Sequence, residues 1–312
     1  MKNKYLICLL LLSAMVHAGC KNEQASMNQK NTVIEKQSKP IKLALVQMKV
    51  VGGELDLNLQ YAEEQIASAA KGGAQLALLP EVMDLGWTHP SAKTLAYPVP
   101  GGKTFEHLAA AARQNKIFVV AGIVERDGDN TYNTAVLINP EGELLLKHRK
   151  LYELDIAHDL YETGDRLNVC HTELGTIGLM VCADAAAKGQ VIQRSLGYMG
   201  ADMILSPSSW AVVADHDNVS NPYGNEWRTN YKSVAEEYEM WIIGVSNVGW
   251  LTAGPWKDWK CIGCSLVIDP DGKEVLQAPY GDDADTIIYL DVMTRKRPAR
   301  GTDWKKYWDM KS

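Results

Sequence analysis

The chain has 312 residues, of which 46% are hydrophobic and 22% charged, and a formal net charge of −6. This is a globular composition, long enough to bury one sizeable core or two modest ones, which excludes a fibrous or wholly disordered chain. The acidic balance repels phosphate backbones and excludes nucleic acid as a natural partner.

The first nineteen residues read as an export signal peptide. Lys2 and Lys4 form a basic start, and Leu6 to Leu12 an apolar run too short to stay in a bilayer as a spanning helix. Ala18-Gly19-Cys20 resembles a bacterial lipobox, with His17 where leucine is usual. The expectation is lipid attachment at Cys20, hence a lipid-anchored envelope protein; cleavage after Ala18 and a soluble periplasmic chain is the alternative. Residues 20–40 are polar and read as a tether, because they carry too little apolar surface to offset the entropy of ordering.

Strand and helix signals alternate from Ile41 onward. IKLALVQM is a strand, and DLNLQYAEEQIASAAKGG a helix stopped by Gly72-Gly73. QLALLPE is a short buried strand, KTFEHLAAAARQNK a second helix and IFVVAGIVE a strand. TYNTAVLINPEGELLLKHRK is a hairpin turning at Asn139 to Gly142. GTIGLMVC is a strand running to Cys182, KGQVIQRSLGYMG a helix and ADMILSPSSW a strand. A long polar loop at 211–226, either lid or solvated surface, leads to the helix EWRTNYKSVAEEYEM. WIIGVSNVG is a strand, CSLVIDPDGKEVLQAP a second hairpin and DTIIYLDV the closing strand. Hairpins interrupting the βα alternation give an α/β class with a mixed sheet. Residues 41–312 form one domain, with a C-terminal tail from about residue 293.

Three polar residues follow strands: Glu81, Lys150 and Cys182. Ligand crevices of α/β sheets lie off strand ends, so these three can converge. Their chemistry is complementary. A thiol needs a base to become a nucleophile, a buried carboxylate has its pKa raised toward working pH, and a lysine stabilises a developing oxyanion. Singly, each has an ordinary structural reading as a cap, a solvated side chain or a core residue.

The segments LALLPE, HRKLY, GTIGLMVCAD, GADMILSPSSW, SNVG and GCSLVIDPDG, in this order, resemble the nitrilase superfamily, the carbon–nitrogen hydrolases, over about residues 41–292. The resemblance implies a four-layer αββα sandwich, assembly into homodimers or larger homo-oligomers, and a Glu–Lys–Cys triad that needs no metal or organic cofactor. By position it makes Glu81 the general base, Lys150 the stabiliser of the tetrahedral intermediate, Cys182 the nucleophile and the Ala183 backbone N–H a second oxyanion donor. The substrate would be a small linear amide or an N-carbamoyl compound. Trp87 and Trp210 resemble positions lining the family's pocket, with core packing as their alternative role.

Two departures matter. Most relatives carry a second glutamate between the lysine and the cysteine; LDIAHDLYETGDR offers Asp159, with His158 and Glu162 as alternatives. After the cysteine stands Ala-Asp-Ala-Ala, where true nitrilases have Trp-Glu, which favours amides over nitriles. Acyl transfer on the same triad and a catalytically silent binding protein are the competing readings. A thiol redox pair, Cys261 and Cys264, has the right spacing but no following helix. PGGKT is no phosphate loop, because Tyr97 occupies the place of its first glycine. Asp215-His216-Asp217 has no second set of metal ligands.

Overall fold

The computed structural model describes residues 40–295 and Met310. The signal peptide, most of the tether, Cys20 and the basic aromatic part of the tail lie outside the described residues.

The first half of the chain builds one sheet and its two long helices. Strands β1 (Ile41–Gln47), β2 (Leu76–Leu78), β3 (Phe118–Asp127), β4 (Asn130–Ile138) and β5 (Leu144–Arg149) are interleaved with helices α1 (Leu55–Lys71), α2 (Ala92–Leu95) and α3 (Lys103–Asn115). Helix α1 stops at the glycine pair: Gly73 is left-handed at φ +83°, and the Ala74 N–H bonds back to the Ala69 carbonyl. The second half adds β6 (Val169–Thr172), β7 (Gly175–Leu179), α4 (Val191–Tyr198), β8 (Met203–Ser208), β9 (Ala211–Val212), α5 (Gly224–Tyr238), β10 (Trp241–Ser246), β11 (Val248–Trp250), β12 (Lys260–Ile262), β13 (Leu266–Ile268), β14 (Glu274–Gln277) and β15 (Thr286–Val292).

These strands form two six-stranded sheets, ordered β15-β1-β2-β3-β4-β5 and β14-β13-β10-β8-β7-β6, and a small sheet β11-β12-β9. The central strands of each are parallel and the outer ones antiparallel. The mixed character expected from the hairpins is therefore present twice.

Side-chain alternation explains the layering. In β1, Leu43 and Leu45 enter an apolar cluster with Leu179, Leu205 and Val245 of the second sheet, whereas Ala44 and Val46 pack with Leu59, Ile66 and Leu108 of α1 and α3. In the second sheet Met203 and Leu205 join that inter-sheet cluster, while Ile204 packs with Leu196 and Val234 of α4 and α5. These central strands are thus apolar on both faces, and each fully buried leucine contributes about 1.5–3 kcal/mol. The result is helix, sheet, sheet, helix: the expected αββα sandwich.

The strand expected to reach Cys182 ends at Leu179, and a 3₁₀ turn begins at the cysteine itself (Cys182–Ala186). The cause is local. Asp184 accepts the Val181 N–H at 2.8 Å with its side chain and donates its own N–H to the Val181 carbonyl, which curls the chain out of the sheet. The polar loop also begins later than expected, because Ala211 and Val212 pair with β12.

Candidate active site

Glu81, Lys150 and Cys182 come together in the interior. Glu81 follows β2, and its N–H bonds to the Ser208 carbonyl at the end of β8, so its backbone bridges the two sheets. Gly122 on β3 permits this: a Cβ there would stand 2.6 Å from the Glu81 Cα. Lys150 follows β5 and donates its backbone N–H to the Asn133 carbonyl. Cys182 sits at φ +43°, a left-handed position uncommon for a residue with a side chain.

Lys150 Nζ lies 2.8 Å from Glu81 Oε1 and 2.9 Å from Glu153 Oε1, with the lysine and Glu81 side chains 2% and 1% exposed. Asn133 Nδ2 ties the two carboxylates together, donating to Glu81 Oε1 at 2.6 Å and to Glu153 Oε2 at 3.2 Å. Glu81 Oε2 is buried with no hydrogen bond among the described residues.

Electrostatics follow from the burial. Burial raises the Glu81 pKa, and Glu153 adds to the rise while Lys150 and Asn133 oppose it. Burial pushes the Cys182 thiol well up, as does the neighbouring Glu81 charge; Lys150 and the Ser209 N–H pull the other way. Burial works against the Lys150 charge, but Glu153, Glu81 and Cys182 outweigh it and hold the ammonium firmly protonated. The arrangement is a thiol beside a carboxylate whose proton affinity is raised, with a fixed cation next to both. That set can pass a proton from sulfur to carboxylate while the cation meets a growing negative charge.

The second carboxylate beside Lys150, after Glu81, is Glu153, not Asp159. Asp159 and Glu162 are exposed, and the His158 side chain is 47% exposed. The chain turns through a short 3₁₀ helix at Asp155–Ala157, which carries these residues to the surface. Glu153, three residues after Lys150, stays with the lysine and also accepts the Leu154 N–H at 3.0 Å. The sequence marks Asn133 only as part of a packed strand; its place on the strand paired with β5, beside Lys150, is what brings it to the two carboxylates. We expect Glu153→Gln to lower kcat about 100-fold by weakening the hold on Lys150, and Asp159→Ala to leave it unchanged. Steady-state kinetics of the two variants side by side check this.

Trp87 is 3% exposed, with its ring centroid 5.9 Å from Lys150 Nζ and 4.9 Å from Trp256, which in turn stacks on Trp259. Trp210 is fully buried and stacks on Trp227 at 4.7 Å, with Tyr231 in the same cluster. It belongs to the core between the second sheet and α5. Tyr223, unforeseen in the sequence, stands close enough to Cys182 for the thiolate's charge, after burial, to raise its phenol pKa. Ala183 follows the thiol in the 3₁₀ turn and is buried. Cys261 and Cys264 are free thiols in different core clusters: Cys261 contacts Ser209 Oγ at 3.4 Å, and Cys264 accepts from Gln277 Nε2.

The sequence model of one family, Carbon-nitrogen hydrolase, matches residues 42–297. The chain belongs to the carbon–nitrogen hydrolase family. It is 36% identical over 257 residues to a protein of Pyrococcus abyssi named nitrilase, covering 81% of this chain and 90% of that one. It is 27% identical over 266 residues to an (R)-stereoselective amidase of Pseudomonas, covering 85% and 90%. Among solved structures, Saccharomyces cerevisiae Nit3, a member of branch 10 of the nitrilase superfamily, is similar with a TM-score of 0.69 at 26% identity, covering 82% of this chain and 91% of that one. The two-sheet architecture of this carbon–nitrogen hydrolase thus has solved counterparts.

Proposed function

We propose that the protein hydrolyses a non-peptide C–N bond, in a small linear amide or an N-carbamoyl compound, through a thioester formed on Cys182. The observation that carries this is the buried Lys150 ammonium, held 2.8 Å from Glu81 beside the Cys182 thiol. Glu81 takes the thiol proton as sulfur attacks the carbonyl carbon. Lys150, helped by the Ala183 N–H, meets the oxyanion of the tetrahedral intermediate. The C–N bond breaks and Glu81 returns the proton to the leaving nitrogen, so ammonia or an amine departs. Water then attacks the thioester, Glu81 takes a proton from it, and the acid leaves as the thiol is restored. Glu153 and Asn133 keep Lys150 and Glu81 in place throughout. The amidase among its relatives supports an amide substrate, as does the absence of Trp-Glu after Cys182.

The test is ammonia release from a panel of amides, N-carbamoyl amino acids, ureido compounds and nitriles, under reducing conditions. Turnover of an amide or carbamoyl compound supports the reading. Transfer of the acyl group to an added amine, without net hydrolysis, replaces it by acyl transfer.

The pH profile has a defined sign. Glu81 must be ionised to accept the thiol proton, and its pKa is raised in the fold, first by burial. The acid limb of kcat/KM is therefore expected above the ordinary glutamate value of about 4.3. An acid limb at or below that value would contradict Glu81 as the base.

A further inference from the structure

We propose that Asp184 is the positioning residue that locks the Lys150 and Cys182 segments to one another, and that His148 holds it there. This rests on the triad reading above and adds to it a residue pair that touches no reacting atom.

The geometry is specific. Asp184 Oδ1 accepts the backbone N–H groups of Leu151 at 3.0 Å and Tyr152 at 2.8 Å, the two residues directly after Lys150. Asp184 Oδ2 accepts the Val181 N–H at 2.8 Å, directly before Cys182, and His148 Nε2 at 2.7 Å, two residues before Lys150. One carboxylate therefore grips the lysine segment on both sides and the cysteine segment on its N-terminal side. Both side chains are buried, Asp184 at 0% and His148 at 3% exposure.

The chemistry of the four contacts requires a carboxylate. Every partner is a donor, and only an ionised carboxylate offers acceptors alone on both oxygens. Burial works against the Asp184 charge, yet the His148 bond and the backbone N–H groups keep its pKa below the ordinary aspartate value. Because the carboxylate only accepts, His148 carries its hydrogen on Nε2. His148 Nδ1 is buried and has no hydrogen-bond partner among the described residues, so the bond to Asp184 is the ring's one side-chain hydrogen bond among them.

The clamp also explains the backbone at the nucleophile. A left-handed Cys182 persists only where surrounding bonds over-determine it. The Asp184 side chain on the Val181 N–H, together with the Asp184 N–H on the Val181 carbonyl, supplies that restraint.

The experiment compares Asp184→Asn, His148→Leu and His148→Gln with wild type. In Asp184→Asn the amide hydrogens face donors on one side, so the two segments separate. Its kcat is expected to fall about 100-fold with KM within about threefold, as for a small displacement of reacting groups. His148→Leu is expected to lose about tenfold in kcat, and His148→Gln to recover to within about threefold of wild type, because its side-chain amide can donate from the place of Nε2. Alkylation of Cys182 by iodoacetamide gives a readout that needs no substrate, and it is expected to slow about tenfold in Asp184→Asn and His148→Leu but not in His148→Gln. If wild type turns over none of the amides, the functional reading fails, while the alkylation series still decides the clamp. Equal alkylation rates in wild type and Asp184→Asn would overturn the clamp. If Asp184→Asn does not fold, the two His148 variants decide: equal kinetics and equal alkylation in leucine and glutamine variants overturn it.

Discussion

Lys150→Met is expected to lower turnover by about 1,000-fold and to make the fold fail progressively as pH rises. The lysine is the cation between two buried carboxylates, Glu81 and Glu153, whose side chains are each 1% exposed. Without it, Asn133 remains as their shared donor, and two negative charges face each other out of water. Removing one partner of a buried ionic cluster costs about 3–5 kcal/mol. The variant relieves this by taking up protons, so the folded-state pKa values of its two carboxyls rise above their unfolded values. Stability relative to wild type is then retained below the ordinary glutamate range and lost as pH rises through the raised values. Catalysis suffers separately: the fixed charge that meets the oxyanion is gone, with an expected loss of about 1,000-fold in kcat even at a pH where the variant is folded. Thermal unfolding of both proteins across the acid-to-neutral range, with kinetics at the most stable pH, checks both parts. A Tm difference that does not change with pH would show that the carboxylates do not depend on Lys150.

Cys182→Ala separates the same two effects in the opposite sense. The sulfur forms the bond to substrate, so its removal is expected to lower turnover by about 10,000-fold or more. The fold should barely respond. Alanine tolerates the left-handed backbone no worse than cysteine does, the buried volume lost is small, and Asp184 still holds the turn, so the stability change is expected to be about 1 kcal/mol or less. Mass spectrometry of acid-quenched reactions gives the direct readout: wild type gains the mass of the acyl group and the alanine variant does not. Turnover that persists in the alanine variant at a substantial fraction of the wild-type rate would remove Cys182 from the mechanism.

Much of the architecture is written locally. β1 alternates residues toward two different cores, and Gly72-Gly73 stops α1 by supplying a left-handed residue where one is needed. Glu81, Lys150 and Cys182 could be brought together on paper because each follows a strand. What was not legible depends on how the chain turns after those strands. Glu153 and Asp159 are both acids downstream of the same lysine, and only the turn at Asp155–Ala157 sends one inward and the other to solvent. Tyr223 reaches the site from a segment whose polar sequence gives no sign of an inward residue. Trp210 and Trp87 look alike as aromatic residues near strand ends; packing against Trp227 draws one into the core, while the other lies beside the lysine. The Asp184 contacts join residues 148, 151, 152 and 181, a pairing that no local pattern contains.

The pairing of β15 with β1 carries a consequence for biosynthesis. Residues Ile41 and Val292 are cross-strand neighbours, so the first described strand is translated long before its outer partner, the last described one. Throughout the intervening translation β1 presents an open hydrogen-bonding edge, flanked by side chains that are apolar on both faces. Its sequence is the kind that pairs readily with other chains. This edge closes only when β15 arrives, so the first sheet completes its hydrogen bonding after the second sheet has been translated.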